Sequence, residues 1–273
     1  MNACPITSPE NRSQRLSDEG RARLVSVRGE PLFLAHWERA LFIHYEVDAA
    51  RLQRELPFEL DLWNGKALVS LVAFTMRDMR PRLGGRPAAW LFKPIATHSF
   101  LNVRAYVKHR GEPGICFLTE WLSSWLSVQL GPLLYGLPYR YAAIAYDHRH
   151  EENRLAGKVE PALGGRFGYE ATLQNKQFKP CDPGTLDEFL LERYTSFNFG
   201  RGRKLFFRIW HPPWLQAKAD VSIVEDSLPA RTWPWFREGR QVGANYSPGF
   251  QDVWMGRAQN CRKISTADGR GHG

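Results

Sequence analysis

The 273 residues are 43% hydrophobic and 13% aromatic, with a formal net charge of +9. That is enough apolar material for a real core, and it excludes a globally disordered chain. The positive charge comes from 28 Arg against 9 Lys scattered along the sequence; with no zinc-finger spacing and no RNP-like motif, no nucleic-acid partner is expected.

The four cysteines, Cys4, Cys116, Cys181 and Cys261, form neither a CxxC nor a disulfide-rich pattern, so reduced thiols in a cytoplasmic protein are expected. The first twenty residues lack the apolar stretch of a signal peptide. No run of about 18 apolar residues exists, so no membrane span is expected.

Residues 1–30 are polar and without periodicity, and read as a flexible N-terminal tail. A single domain over residues 31–256 follows, and residues 257–273 read as a disordered C-terminal tail. Within the domain, Ala40–Val47 is a strand. Asp48 is placed to cap a helix over residues 49–56, which Pro57 ends. A short strand over residues 60–63 meets Asn64-Gly65, the strongest hairpin signal in the chain, because a type I′ turn needs positive φ twice. The return strand, residues 66–76, is almost continuously apolar and should be buried on both faces. Residues 77–97, rich in Arg, Pro and Gly, read as a long loop near the mouth of a site.

Residues 98–107 alternate in polarity, with Leu101, Val103, Ala105 and Val107 on one face and Asn102, Arg104 and Tyr106 on the other. Period two means a half-buried strand. Gly111-Glu112-Pro113-Gly114 turns it into a second strand over residues 115–121, followed by a helix over 123–135 and a third strand over 139–146. Glu120 falls on the face of Cys116 and Leu118, and Arg140 on the face of Ala142, Ile144 and Tyr146. A charge on an apolar stripe needs a partner. Two readings stay open: a structural Glu120–Arg140 pair within the core, or a pocket floor carrying a carboxylate and a guanidinium. His148 and His150 have the spacing of two ligands on one strand face, but no third ligand is suggested and no metal is expected. Residues 166–174, 204–210, 217–224 and 250–254 are further strands. Thr185 and Glu188 form a capping box at the start of a helix over 185–194. Trp214, Trp233 and Trp235 are expected at the surface, where they would allow a homo-oligomer.

Asn102-Val103-Arg104-Ala105-Tyr106-Val107 resembles the NVRTYV signature of the YqjF-like family, a bacterial domain of unknown function. Gly136-Leu137-Pro138-Tyr139 and Leu186-Asp187-Glu188-Phe189-Leu190-Leu191-Glu192-Arg193-Tyr194 resemble its GLPY and LDEFLTERY segments. The family is similar in turn to acetoacetate decarboxylases. The resemblance implies a mainly β fold with a few helices (α+β), a conical, mostly antiparallel β-barrel around a ligand cavity. It places Arg39 where those enzymes contact a substrate carboxylate. Three positions depart from the pattern. Val72 stands where the decarboxylases have a carboxylate, and Phe100, near His98, where many YqjF-like relatives have Glu. Tyr139 and Arg140 replace the two consecutive lysines that supply the Schiff base, and a phenol cannot form an imine.

No other catalytic template is present: no Gly-x-Ser-x-Gly elbow, no Walker loop, no Gly-x-Gly-x-x-Gly and no HExxH. The expectation is therefore a protein that binds a small anionic or carbonyl compound without a cofactor, through Arg39, His98, Asn102, Arg104, Glu120, Tyr139 and Arg140. The alternative is an enzyme that acts on such a compound by non-covalent acid–base catalysis, with Glu120, Tyr139 and Arg140 as candidates.

Overall fold

The computed structural model describes residues 12–264 apart from Arg201. Its centre is a 14-stranded sheet. The strands that build the site are β1 (Phe33–Val47), β3 (Ala67–Pro81), β4 (His98–His109) and β5 (Glu112–Leu122), with β2 (Glu59–Leu60) paired on the edge of β4. Next come β6 (Tyr139–Tyr141), β7 (Ala143–Arg149), β8 (Arg154–Glu160) and β9 (Phe167–Leu173). The last are β10 (Thr195–Gly200), β11 (Arg203–Trp210), β12 (Ala217–Glu225), β13 (Arg240–Met255) and β14 (Gln259–Asn260). Spatial order runs β11-β10-β5-β4-β3-β1-β13, and β13 pairs back onto β11 at Ile209↔Met255 and Trp210↔Trp254. That second pairing makes the path a closed circuit, as the barrel expectation requires. β12, β9, β8 and β7 extend beyond β13, and their Leu155, Val159, Phe167 and Tyr169 share a core with Leu41, Ile43, Val69 and Leu71.

The apolar pattern of β3 explains the layering. Val69, Leu71 and Ala73 face a core shared with the β7–β9 layer, while Leu68, Val72, Phe74 and Met76 face a second core inside the circuit. A continuous apolar run is what a strand buried on both faces needs. Asn64 and Gly65 both have positive φ, at 49° and 77°, in the turn that brings Trp63 against Lys66.

The β4–β5 turn falls two residues earlier than the Gly-Pro pattern suggests. Arg110 and Gly111 take the positive φ values, and Pro113 and Gly114 lie inside β5. Gly114 is required there for space, because a Cβ would come within 2.5 Å of the Thr195 carbonyl on the adjoining β10.

Helix α1 (Arg12–Val25) occupies nearly half of the stretch expected as a tail. Its mean polarity hides a narrow seam, Ser13, Ser17, Gly20 and Leu24, which is buried against the domain. Arg12 and Ser13 reach Glu188, and the Ser17 hydroxyl donates to the His211 carbonyl at 2.7 Å. Residues 257–264 also pack rather than trail: Cys261 and Ile264 are buried, and Arg110 donates to the carbonyls of Arg262 and Ile264. The remainder of both expected tails, residues 1–11 and 265–273, lies outside the described residues.

Helices α2 (Ala49–Glu55), α4 (Trp125–Tyr135) and α5 (Leu186–Leu191) fall where the sequence places them. Asp48 caps α2 by accepting from the Arg51 amide. In α5 the Thr185 hydroxyl accepts from the Glu188 amide, but the Glu188 carboxylate reaches past the cap to the Gly184 amide. Two elements differ from expectation. The loop over residues 77–97 is the end of β3, helix α3 (Gly85–Phe92) and a 3₁₀ turn at residues 93–95. The Trp- and Pro-rich residues 228–236, expected as an irregular connector, lie in helix α6 (Ser227–Thr232) and a 3₁₀ turn at Pro234–Glu238. Trp214, Trp233 and Trp235 are all buried, so they form no surface patch.

Candidate functional site

Inside the circuit lies a cavity of ≈ 80 Å³ whose wall carries Asn102, Arg104 and Glu120 among its polar side chains. Asn102 and Arg104 are two apart on β4, so the pleat turns both inward. Glu120 sits directly across from Asn102 on β5. Its orientation depends on an irregularity: Val103 pairs with Thr119, but Arg104 pairs with Phe117, leaving Leu118 as an extra residue. Such a bulge shifts the phase of alternation. Glu120, Phe117 and Ile115 therefore face the cavity, whereas Cys116 and Leu118 join the opposite core. Strict alternation assigns Glu120 to the face of Cys116, and the bulge is why that assignment fails.

The electrostatics are unusual for an interior. Glu120 is 3% exposed and its Oε1 has no hydrogen-bond partner. Burial alone holds its carboxyl well above the usual carboxylate range, which favours the protonated form. Arg104 is 8% exposed. One Nη donates to the Leu190 carbonyl at 2.9 Å, and its guanidinium lies 5.2 Å from the Phe42 ring centroid. Its Nε has no partner, and no carboxylate among the described residues forms an ion pair with it. Asn102 Oδ1 is likewise unpartnered. Orphaned buried polar atoms cost about 1–3 kcal/mol each, and three of them surround this one cavity.

Tyr139 also lines the cavity, paired in register with Glu120 where β6 runs parallel to β5. Burial, then the Glu120 carboxyl beside it, push its phenol well up. Val72 and Phe100 lie on the wall, so the two departures from the related patterns are cavity-facing positions. No lysine lines the cavity.

Two expected residues are elsewhere. Arg140 is the next residue of the same short strand and is therefore turned outward and exposed; the anticipated Glu120–Arg140 pair does not form. The third strand expected over residues 139–146 is two strands, broken at Ala142. Arg39 sits in a bulge of β1 with φ 55° and is exposed, while its neighbours Trp37, Ala40 and Phe42 face the cavity. Its carbonyl accepts from the His148 Nδ1, and the His148 Nε2 bonds the Tyr169 hydroxyl. Both nitrogens of His148 are thus used within the fold.

His98 is buried beside an outer chamber described below, and burial lowers it to about 4, so the ring is neutral at pH 7. Three further wall residues were missed in the sequence. Arg193 is buried but satisfied, donating to Asp61 at 2.7 Å and lying 4.1 Å from the Phe189 ring centroid. His211 is lowered to about 4 by burial, and Trp214 is fixed by its amide bonding the Glu192 carboxylate. Arg193 belongs to the Leu-Asp-Glu-Phe segment, whose helical pattern reads as packing. His211 and Trp214 lie in a Pro-rich joint whose only signal is aromatic density.

A closed, mostly antiparallel circuit around a buried polar cavity defines an acetoacetate decarboxylase-like fold, and solved structures agree. The chain superposes on an acetoacetate decarboxylase-like enzyme from Sphingomonas wittichii with a TM-score of 0.57 at 18% identity, over 85% of this chain and 94% of that one. The acetoacetate decarboxylase of Legionella pneumophila gives 0.59 at 12% identity, over 95% and 98%. The enduracididine biosynthesis enzyme MppR, solved with pyruvate, gives 0.60 at 15%, over 87% and 93%.

Within that fold the chain belongs to the DUF2071 family of uncharacterised conserved proteins, whose model matches residues 34–249. The uncharacterised protein YqjF of Bacillus subtilis is 30% identical over 198 residues, covering 68% of this chain and 76% of YqjF.

Proposed function

We propose that this protein binds a small anionic carbonyl compound in the inner cavity. The observation that carries the reading is the convergence of Arg104 Nε, Asn102 Oδ1 and Glu120 Oε1, all buried and unpartnered, on one space. A guanidinium with a free edge suits a carboxylate, because charge-assisted bonds to a planar anion use its fixed fork. A protonated Glu120 supplies a donor for a carbonyl oxygen. The neighbouring enzyme that holds pyruvate in the same fold supports the ligand class. With tyrosine where the decarboxylase pattern has its lysine, binding does not proceed through an imine.

A second reading rests on Glu120. A carboxyl that burial holds well above its ordinary range can act as a general acid toward a bound carbonyl, with Tyr139 beside it. Turnover separates the two readings.

The test is calorimetric titration with small 2-oxo and 3-oxo carboxylates. Binding should be present in the native chain and weakened on the order of 10–100-fold in Arg104→Met, since loss of a buried charge-assisted bond costs about 1.5–3 kcal/mol. Equal affinity in both proteins would remove Arg104 from the site. Borohydride treatment of the complex should leave the intact mass unchanged; an adduct on a lysine would overturn the non-covalent reading.

A further inference from the structure

A second chamber of ≈ 170 Å³ adjoins the first and shares Met76, Leu137, Tyr139, Phe207 and Met255 with it as common walls. Its character is different. No Asp, Glu, Lys or Arg lines it, and its polar residues besides Tyr135 and Tyr139 are Ser127 and the neutral His98. Well-packed interiors leave few voids larger than a water molecule, so this space exceeds what packing defects account for.

The chamber is roofed by α4 and flanked by α3, which contribute Leu130, Leu134 and Phe92. Neither helix has a charged residue facing the chamber. The outward side of both is also apolar, with Trp90, Leu91, Trp125, Leu133 and Leu134 all more than half exposed. The outer chamber is therefore apolar from its exposed rim to the wall that it shares with the polar inner cavity.

We infer that the ligand is an amphiphile: its anionic head occupies the Arg104–Glu120 cavity and an unbranched hydrocarbon chain extends through the outer chamber toward α3 and α4. This rests on the reading of the inner cavity proposed above and adds the substrate class. A compound without a chain would leave the outer chamber unfilled. One with a chain gains burial for each methylene, and its charge never leaves the inner end. The polarity gradient also fixes direction, since a carboxylate lodged in the outer chamber would meet no cation there.

The experiment is a calorimetric series with butyrate, hexanoate, octanoate, decanoate and dodecanoate, all below their micellar concentrations. The expected result is a Kd that falls about fourfold per added methylene through the shorter members. The fall should then stop once the chain reaches the rim. Met79→Trp, which fills the outer chamber, should abolish this gain while butyrate binds as before. Leu134→Glu, at an exposed position of the roof, provides the same test should the first variant not fold. Butyrate binding with a flat series would overturn the amphiphile inference and leave the inner-cavity reading intact. So would a chain-length gain undiminished in both variants, because it would place the chain elsewhere. Failure of every member to bind, while the 2-oxo and 3-oxo carboxylates still bind, would overturn the amphiphile inference alone; failure of both sets would remove the inner-cavity reading with it.

Discussion

At the scale of single residues, the most informative group is Glu120, a carboxyl surrounded by apolar walls. Its folded-state pKa lies well above the ordinary 4.5. Folded protein therefore holds a proton that the unfolded chain releases above that value, and stability falls as pH rises through the interval between the two. Glu120→Gln removes the titrating group and keeps its shape. The variant should gain on the native protein by up to about 1.4 kcal/mol per pH unit above pH ~4.5. Urea denaturation of both proteins from pH 5 to 8 measures this, and parallel pH profiles would contradict it. Arg140 shows the complementary lesson. The sequence places a cation and a carboxylate on apolar stripes and leads one to join them. Which way each points depends on a bulge at Leu118 and a break at Ala142, and neither has a residue signature such as Gly or Pro. Asn102 and Arg104 were legible because β4 is regular over that stretch.

Among the elements, α1 was the least visible beforehand. A helix is normally recognised by a wide apolar stripe, and here the buried seam consists of two serines, a glycine and a leucine. Such small residues let the helix approach closely. A Cβ on Gly20 would lie 2.6 Å from the Tyr194 ring. Intrinsic propensity favours Ala over Gly in a helix by about 1 kcal/mol. Overpacking costs about 1–3 kcal/mol and should win here. Gly20→Ala is thus expected to lower stability, with a reduced midpoint in guanidinium denaturation; a raised midpoint would show that α1 docks loosely. The strands and the hairpin at Asn64-Gly65 were readable from alternation and turn chemistry. Helix α3 was not, because its eight residues include Gly85, Arg86 and Pro87 at the start and bury none of their side chains. Strand β10, the parallel neighbour of β5, was hidden because the chain reaches it directly from α5 without a turn signal.

For the molecule as a whole, burial of histidines sets the response to acid. His44 is lowered to about 3, and His98, His148 and His211 to about 4, each chiefly by loss of hydration. The unfolded chain binds these protons near pH 6.5 and the folded one does not, so stability is lost as pH falls from about 6.5 toward 4. Glu120, with Glu192 raised to about 7 by burial, works in the opposite sense. Four histidines outweigh two carboxyls below pH 6.5, and the carboxyls prevail above it. Stability should peak between about pH 6 and 7, which calorimetric melting across pH 4.5 to 8.5 would test; a continuous rise with pH would refute it. The pairing of β1 with β13 has a separate consequence for synthesis. Phe33 lies against Met255 and Glu46 against Arg240, so the first strand of the circuit is completed by its last, β13, far along the chain. Until then a nascent chain presents β1 with one unpaired edge carrying Leu41 and Ile43, a template for wrong partners. Closure of the circuit is thereby deferred until β13 has been made, and a chaperone that shields strand edges would matter most before then.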